Sequence, residues 1–160
     1  MKKTLKVAGF IALMLLSSAA GIWVYQSKQS DFITTDGTKY KWTSLEGNWV
    51  IINYFAPWCV PCLREMPELH SFNQNLPSNT YLFAINYDNL SKKELAKMLQ
   101  KHNITLPVIQ ANKDTQLPME KPPYLPATFI IGPDGEIKDT IMGEVSGAML
   151  RARIQTLQTL

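Results

Sequence analysis

Cys59 and Cys62 are the only cysteines in the 160-residue chain, and they stand three apart in Phe55-Ala56-Pro57-Trp58-Cys59-Val60-Pro61-Cys62. Residues 49–55, Trp-Val-Ile-Ile-Asn-Tyr-Phe, are almost all β-branched or aromatic, the composition of a central strand buried on both faces. Asn53 is its one polar interruption. After Cys62, Leu63, Met66, Leu69, Phe72 and Leu76 recur every three or four residues, which predicts a helix that Pro67 should kink. The two thiols therefore sit where a strand hands over to a helix. A sulfur at a helix N-terminus faces unsatisfied amide donors and the positive end of the helix dipole, and both favour thiolate. Cys59 is the expected nucleophile. Cys62, one turn in and turned back toward the sheet, is expected to reach the Cys59 sulfur while staying out of reach of a large substrate, so it resolves the mixed disulfide. Pro61 fits this position because a first-turn residue needs no intrahelical amide donor.

Other uses of a dithiol compete with exchange. A purely structural bridge across two residues constrains the unfolded chain little, and a domain of this size folds without one. A structural zinc site needs four ligands, and beyond the pair the chain offers only His70 and His102, at spacings unlike those of zinc modules. Relay of a soft ion such as Cu(I) is chemically allowed and stands as the rival from another functional class. Thiol–disulfide exchange is the leading reading, with no cofactor and no resident metal.

The elements that must position these sulfurs belong to a single domain, because 160 residues hold one core. A composition with 46% hydrophobic and 18% charged residues excludes a disordered chain. The net charge of +3 comes entirely from Lys2, Lys3 and Lys6, and the body that follows balances 13 bases against 13 acids. Nucleic acid is an unsuitable partner for such a body, which has no concentrated basic face.

The same three lysines precede Val7 to Tyr25, 19 residues without a charge. As a helix this run spans about 28 Å, close to the roughly 30 Å hydrocarbon core of a bilayer. It fits an uncleaved anchor, and Ser18 and Ala20 also allow a cleaved signal ending at Ala20. Its length and its Trp23 and Tyr25 ending favour the anchor. In both cases the lysines stay in the cytoplasm and the remainder is exported. The expected organisation is an anchor over 1–25, a tether over 26–30 and a domain over 31–160.

Within the domain, Asp36-Gly37 predicts a turn between Phe32-Ile33 and Tyr40-Lys41-Trp42. Residues 81–85 predict a further strand, and Ser91 with Glu94 forms a capping box ahead of the stripe Leu95, Met98 and Leu99. Pro118, Pro122, Pro123 and Pro126 make 112–126 a loop. The methionines read as core filler, with a partner contact as the alternative for Met119 because it lies in that loop. Residues 128–131 and 137–142 read as an antiparallel pair around Pro133-Asp134-Gly135. A last helix from about Ser146 buries Leu150, Ile154 and Leu157. His70 and His102 read as surface residues.

Trp58-Cys59-Val60-Pro61-Cys62, the strand before it, Pro67 and Leu125-Pro126-Ala127-Thr128-Phe129 resemble the thioredoxin superfamily over most of residues 31–160. Asp36-Gly37, Leu45-Glu46-Gly47-Asn48, Cys62-Leu63-Arg64-Glu65-Met66-Pro67 and the run 129–137 are similar to its membrane-anchored TlpA/ResA/ScsD-like branch. The resemblance implies an α/β thioredoxin fold, a central mixed β-sheet flanked by helices, with an N-terminal hairpin extension. It also implies that Pro126 is a cis-proline facing the disulfide with Trp58 packed beside it, and that Trp58, Val60, Pro61, Tyr124 and Leu125 face the substrate. Asn53 falls where cytoplasmic relatives carry a buried aspartate that assists proton transfer at the second cysteine. An amide cannot accept that proton. Glu65 matches the glutamate of the ResA-like branch and is expected near the rim of the site, as the replacement base. The segment 112–124 departs from the family pattern, because it lacks the short helix that precedes the cis-proline in many relatives. The implied activity is a thiol–disulfide oxidoreductase of the bacterial inner membrane, its domain in the periplasm. Its clients are exported thiol or disulfide proteins and its redox partner is a membrane electron donor or acceptor for thiols. Reduction is the expected direction, with oxidation or isomerisation as the alternative, since potentials in the superfamily run from about −270 mV to about −120 mV.

Overall fold

The computed structural model describes residues 14–18, 21 and 29–159. The chain divides into two units, residues 1–30 and residues 31–160. In the first, residues 14–18 and 21 are helical, and the other positions of the expected anchor lie outside the described residues. Among the described residues no helix is long and apolar enough to cross a membrane.

The second unit opens with a hairpin of β1 (Phe32–Ile33) and β2 (Lys39–Tyr40), in which Phe32 pairs with Tyr40. Gly37 turns it with φ at +91°, a conformation that only glycine adopts freely, and the Asp36 carboxylate accepts from the Thr38 amide at 3.0 Å. Trp42 does not extend β2 as expected. It opens a short helix, α1 (Trp42–Leu45), because its amide bonds to the Asp31 carboxylate at 2.7 Å and its indole N–H to the Gln116 carbonyl at 2.9 Å. Both partners lie off the hairpin ladder and draw the chain out of it.

The main sheet has five strands: β3 (Trp49–Phe55), β4 (Thr80–Asn86), β5 (Val108–Ile109), β6 (Ala127–Ile131) and β7 (Ile137–Met142). Their order is β5-β4-β3-β6-β7. β3 runs parallel to β4 and β4 to β5, whereas β6 is antiparallel to both β3 and β7, so the sheet is mixed as expected. The helices are α2 (Val60–Gln74), α3 (Lys92–Lys101) and α4 (Gly147–Gln158). α3 carries the expected capping box: Ser91 Oγ accepts from the Glu94 amide at 3.4 Å, and the Ser91 amide donates to Glu94 Oε2 at 2.9 Å. The two-residue β5 and its pairing to β4 carry no periodicity of their own and were not expected.

Helices flank the sheet unequally. The crossovers from β3 to β4 to β5 step in one direction across the sheet, and because parallel crossovers share one hand as a rule, α2 and α3 land on one side. Met66, Leu69 and Phe72 of α2, Leu95, Met98 and Leu99 of α3, and Leu150 and Ile154 of α4 pack with Ile51 and Phe55 in one core. Leu157 covers its edge, only partly buried. The other face, Val50, Ile52 and Tyr54, is closed by Phe32, Leu45 of α1 and Met119. Met119 is 8% exposed. It is thus a core side chain and not a partner contact, and the proline-rich loop covers the face on which no long helix lies. Each such fully buried apolar side chain contributes about 1.5–3 kcal/mol.

Candidate active site

β3 ends at Phe55, and four residues later Cys59 is the N-cap of α2, with φ −89° and ψ 96°. Val60, Pro61 and Cys62 fill the first turn of the helix, where Pro61 is expected. The Cys62 amide donates to Cys59 Sγ at 3.2 Å, one of the donors that a helix N-terminus leaves open. Cys59 and Cys62 form a disulfide of 2.02 Å with Cα atoms 5.2 Å apart. Cys59 is 4% exposed and Cys62 is 0% exposed, while Trp58 and Val60 on either side of Cys59 are 61% and 65% exposed. The sulfur at the helix tip thus lies between two projecting side chains, with the other sulfur beneath it.

The Leu125–Pro126 bond is cis, Pro126 is buried, Leu125 is half-buried and Tyr124 is exposed. Trp58 takes partners that the sequence did not disclose. Its indole N–H donates to Asp88 Oδ2 at 3.0 Å, and its ring stands edge-on to Tyr87 with centroids 6.0 Å apart. Lys121 Nζ lies 3.6 Å from the Tyr87 ring centroid. A cation over a tyrosine face is attractive, so the proline-rich loop is tied to the segment after β4. Asp88 and Tyr87 follow β4 and offer no sequence signal, since their link to Trp58 spans about 30 residues of chain.

Glu65 is not at the rim. It is 2% exposed and lies between α2 and the sheet, where Oε1 accepts from Asn53 Nδ2 at 2.9 Å and Oε2 from the Val145 amide at 2.8 Å. The helix turns this residue inward because it follows Cys62 by three positions and shares its buried side. Asn53 Nδ2 also reaches Thr128 Oγ1 at 3.1 Å, and its Oδ1 is buried with no hydrogen-bond partner among the described residues. Burial pushes the Glu65 carboxyl up to about 7, against the Val145 and Asn53 hydrogen bonds that favour its ionised form; the nearby Glu144 charge adds to the rise. The site therefore holds a buried acid that changes charge near neutral pH, on the helix that carries both sulfurs.

His70 is half-buried and accepts the Thr105 amide at Nε2, 3.1 Å, so it is a structural acceptor more than a surface residue. Among the described residues no group of three or more His, Cys, Asp or Glu is placed to hold a metal ion.

A mixed sheet with a CxxC disulfide at a helix N-terminus and a cis-proline ahead of β6 defines a thioredoxin-fold thiol–disulfide oxidoreductase. The chain belongs to the AhpC/TSA family, whose model matches residues 26–140. It is 27% identical over 165 residues to the thiol-disulfide oxidoreductase ResA of Geobacillus thermodenitrificans, covering 92% of this chain and 93% of that protein. Over 117 residues it is 25% identical to ResA of Bacillus subtilis, with 72% of this chain and 65% of that protein covered. Among solved structures, StoA from Bacillus subtilis superposes with a TM-score of 0.66 at 21% identity, over 76% of this chain and 92% of that one. The exposed lipoprotein thioredoxin of Streptococcus pneumoniae superposes at 0.68 with 19% identity, over 81% and 97%.

Proposed function

We propose that this protein reduces disulfides in exported proteins, with Cys59 as nucleophile, Cys62 as resolving thiol and Glu65 as the proton acceptor for Cys62. In the reduced protein, the Cys59 thiolate attacks one sulfur of a client disulfide. The client S–S bond breaks, its second sulfur leaves as thiolate, and Cys59 is held in a mixed disulfide. Cys62 then gives its proton to the Glu65 carboxylate, and its thiolate attacks Cys59 Sγ. The Cys59–Cys62 bond forms as the client leaves with both sulfurs reduced. Two electrons have passed from the dithiol to the client, and a thiol electron donor at the membrane restores the dithiol.

The observation that carries this reading is the pairing of a helix-tip disulfide with a buried carboxylate, bonded to the amide that stands at the centre of β3. A base with a proton affinity near neutral is well matched to deprotonating a thiol at physiological pH. The projecting Trp58 and Val60, with Pro61, Tyr124 and Leu125, make the surface offered to the client, and the cis-Pro126 acts with the two sulfurs. The same group returns the proton to Cys62 when the disulfide opens, so it serves both directions; reduction is the direction proposed, and the reduction potential of the domain distinguishes it from oxidation or isomerisation.

Residues 1–25 anchor the protein in the bacterial inner membrane with the N-terminus cytoplasmic, residues 26–30 tether it, and 31–160 work in the periplasm. The lysines at positions 2, 3 and 6 followed by an uncharged run support this placement. Capture of clients by a chain with Cys62 replaced by serine tests the function.

A further inference from the structure

The turn between β7 and α4 is fastened to α2 at three successive points. Arg64 grips Glu144 with a two-pronged contact, Nε to Oε2 at 3.0 Å and Nη2 to Oε1. The Val145 amide donates to Glu65 at 2.8 Å, and the Gly147 amide reaches Glu68 Oε2 at 3.3 Å. The same strap begins at the other side of the site, where the Gly143 amide donates to the Pro126 carbonyl at 2.9 Å. Residues 143–147 thus run from the cis-proline to the helix that bears the disulfide. Gly143, at φ +115°, and Gly147, whose Cβ would stand 3.3 Å from Phe72 Cβ, permit that close course.

We propose that Arg64 and Glu144 are positioning residues for proton transfer: their paired contact clamps this strap so that the Val145 amide stays on Glu65 while Glu65 exchanges a proton with Cys62. The inference rests on the reading of Glu65 as the acceptor. An exposed ion pair contributes little to global stability, and both side chains here are exposed, at 64% and 41%. Its two-pronged geometry fixes direction instead, which is what a hydrogen bond donated from a surface turn to a buried carboxylate requires.

The sign of the effect follows from the neighbours of Glu65. Asn53 and Thr128 face it from the sheet and are neutral. On α2, Cys62 lies one turn before it, and Glu68 is held by the Gly147 amide. On the strap stands Glu144, its charge matched by Arg64. The basic residues of α4 are engaged elsewhere, Arg151 on the Asn75 carbonyl and Arg153 on Asp139. Removing the guanidinium frees the strap and leaves the Glu144 charge uncompensated. Loss of the Val145 hydrogen bond and exposure to a like charge both favour protonated Glu65, so both raise the pH at which the base becomes available.

The test is the rate at which a mixed disulfide on Cys59 resolves, followed from pH 5.5 to 9 in the full-length protein with Arg64→Gln, Arg64→Lys, Glu65→Gln and the Arg64→Gln/Glu65→Gln pair. For Arg64→Gln the midpoint moves up by about half to one pH unit, which slows resolution roughly threefold to tenfold on the acidic limb. Arg64→Lys, which keeps the charge without the fork, falls between it and wild type. In the double variant the Arg64 change adds no further displacement. An unmoved midpoint in Arg64→Gln, alongside a changed profile in Glu65→Gln, overturns the clamp and leaves the acceptor standing. The same displacement with and without Glu65 also overturns it. A Glu65→Gln profile identical to wild type removes the acceptor and this proposal with it.

Discussion

Asn53 and Glu65, one within β3 and the other on the second turn of α2, are joined by a 2.9 Å hydrogen bond in the closed interior between the sheet and the helix that carries both sulfurs. The strand thus supplies a neutral amide to this interior and the helix supplies its carboxyl group. Thr128, opposite Asn53 in the β3–β6 ladder, orients the amide from the third side.

The division of labour between the sulfurs predicts asymmetric trapping. Cys62→Ser in the full-length chain accumulates client proteins as mixed disulfides through Cys59. Cys59→Ser accumulates far fewer, because its remaining thiol is fully buried while Cys59 lies between the projecting Trp58 and Val60. Non-reducing gels followed by identification of the linked cysteine check this. Equal trapping by both variants contradicts the assignment, and absence of trapping together with tight Cu(I) binding favours a metal relay.

Glu65 also predicts a stability signature. An ordinary glutamate, as in the unfolded chain, has a value near 4.5, whereas in the folded protein burial raises Glu65 to about 7. The folded state therefore binds this proton more tightly. The linked stability is fully present below about 4.5, declines as pH rises through the interval to about 7, and is absent above it. Its full size is about 3 kcal/mol. Glu65→Gln is neutral at every pH and lacks this decline. Urea unfolding of both oxidised proteins from pH 4 to 8 should show wild type losing ground to the variant as pH rises; parallel curves contradict the burial of an ionisable Glu65. Carboxylates that partners hold low, such as Glu144 beside Arg64 and Asp36 beside Thr34, change both proteins alike and cancel in the comparison.

The N-terminal run predicts an N-in, C-out topology with the anchor retained. A C-terminal reporter active only outside the cytoplasm, combined with sequencing of the mature N-terminus, checks both parts. An inactive reporter on a stable fusion contradicts export, and a mature chain starting at Gly21 contradicts only the anchor.

Much of this was legible from local patterns. The apolar run 49–55, the stripe of α2, the Ser91 and Glu94 box and the turn at 133–135 are signals carried within a few residues, and each marks an element of the fold. What escaped depends on long-range partners. Trp42 reads as strand until Asp31 and Gln116 claim its two N–H groups. Met119 reads as core filler or as a partner contact, because nothing local shows that one sheet face lacks a long helix and needs that side chain. The sulfurs and Pro126 were visible as motifs. Glu65 was visible as a candidate but misplaced at the rim, since a charged residue in an early helical turn is ordinarily solvated and its burial depends on Asn53 and on Val145, 80 residues away.

Resolution of the mixed disulfide, measured by stopped flow across pH in wild type and Glu65→Gln, tests the central claim most directly. In wild type the rate should rise through a midpoint near neutral pH as Glu65 ionises. Glu65→Gln should be slowest relative to wild type around neutral pH, by roughly 10² or more where general-base assistance is lost. The deficit should shrink at high pH, where Cys62 ionises without help. Matching rates and matching pH profiles in the two proteins would contradict the account and leave water as the acceptor of the Cys62 proton.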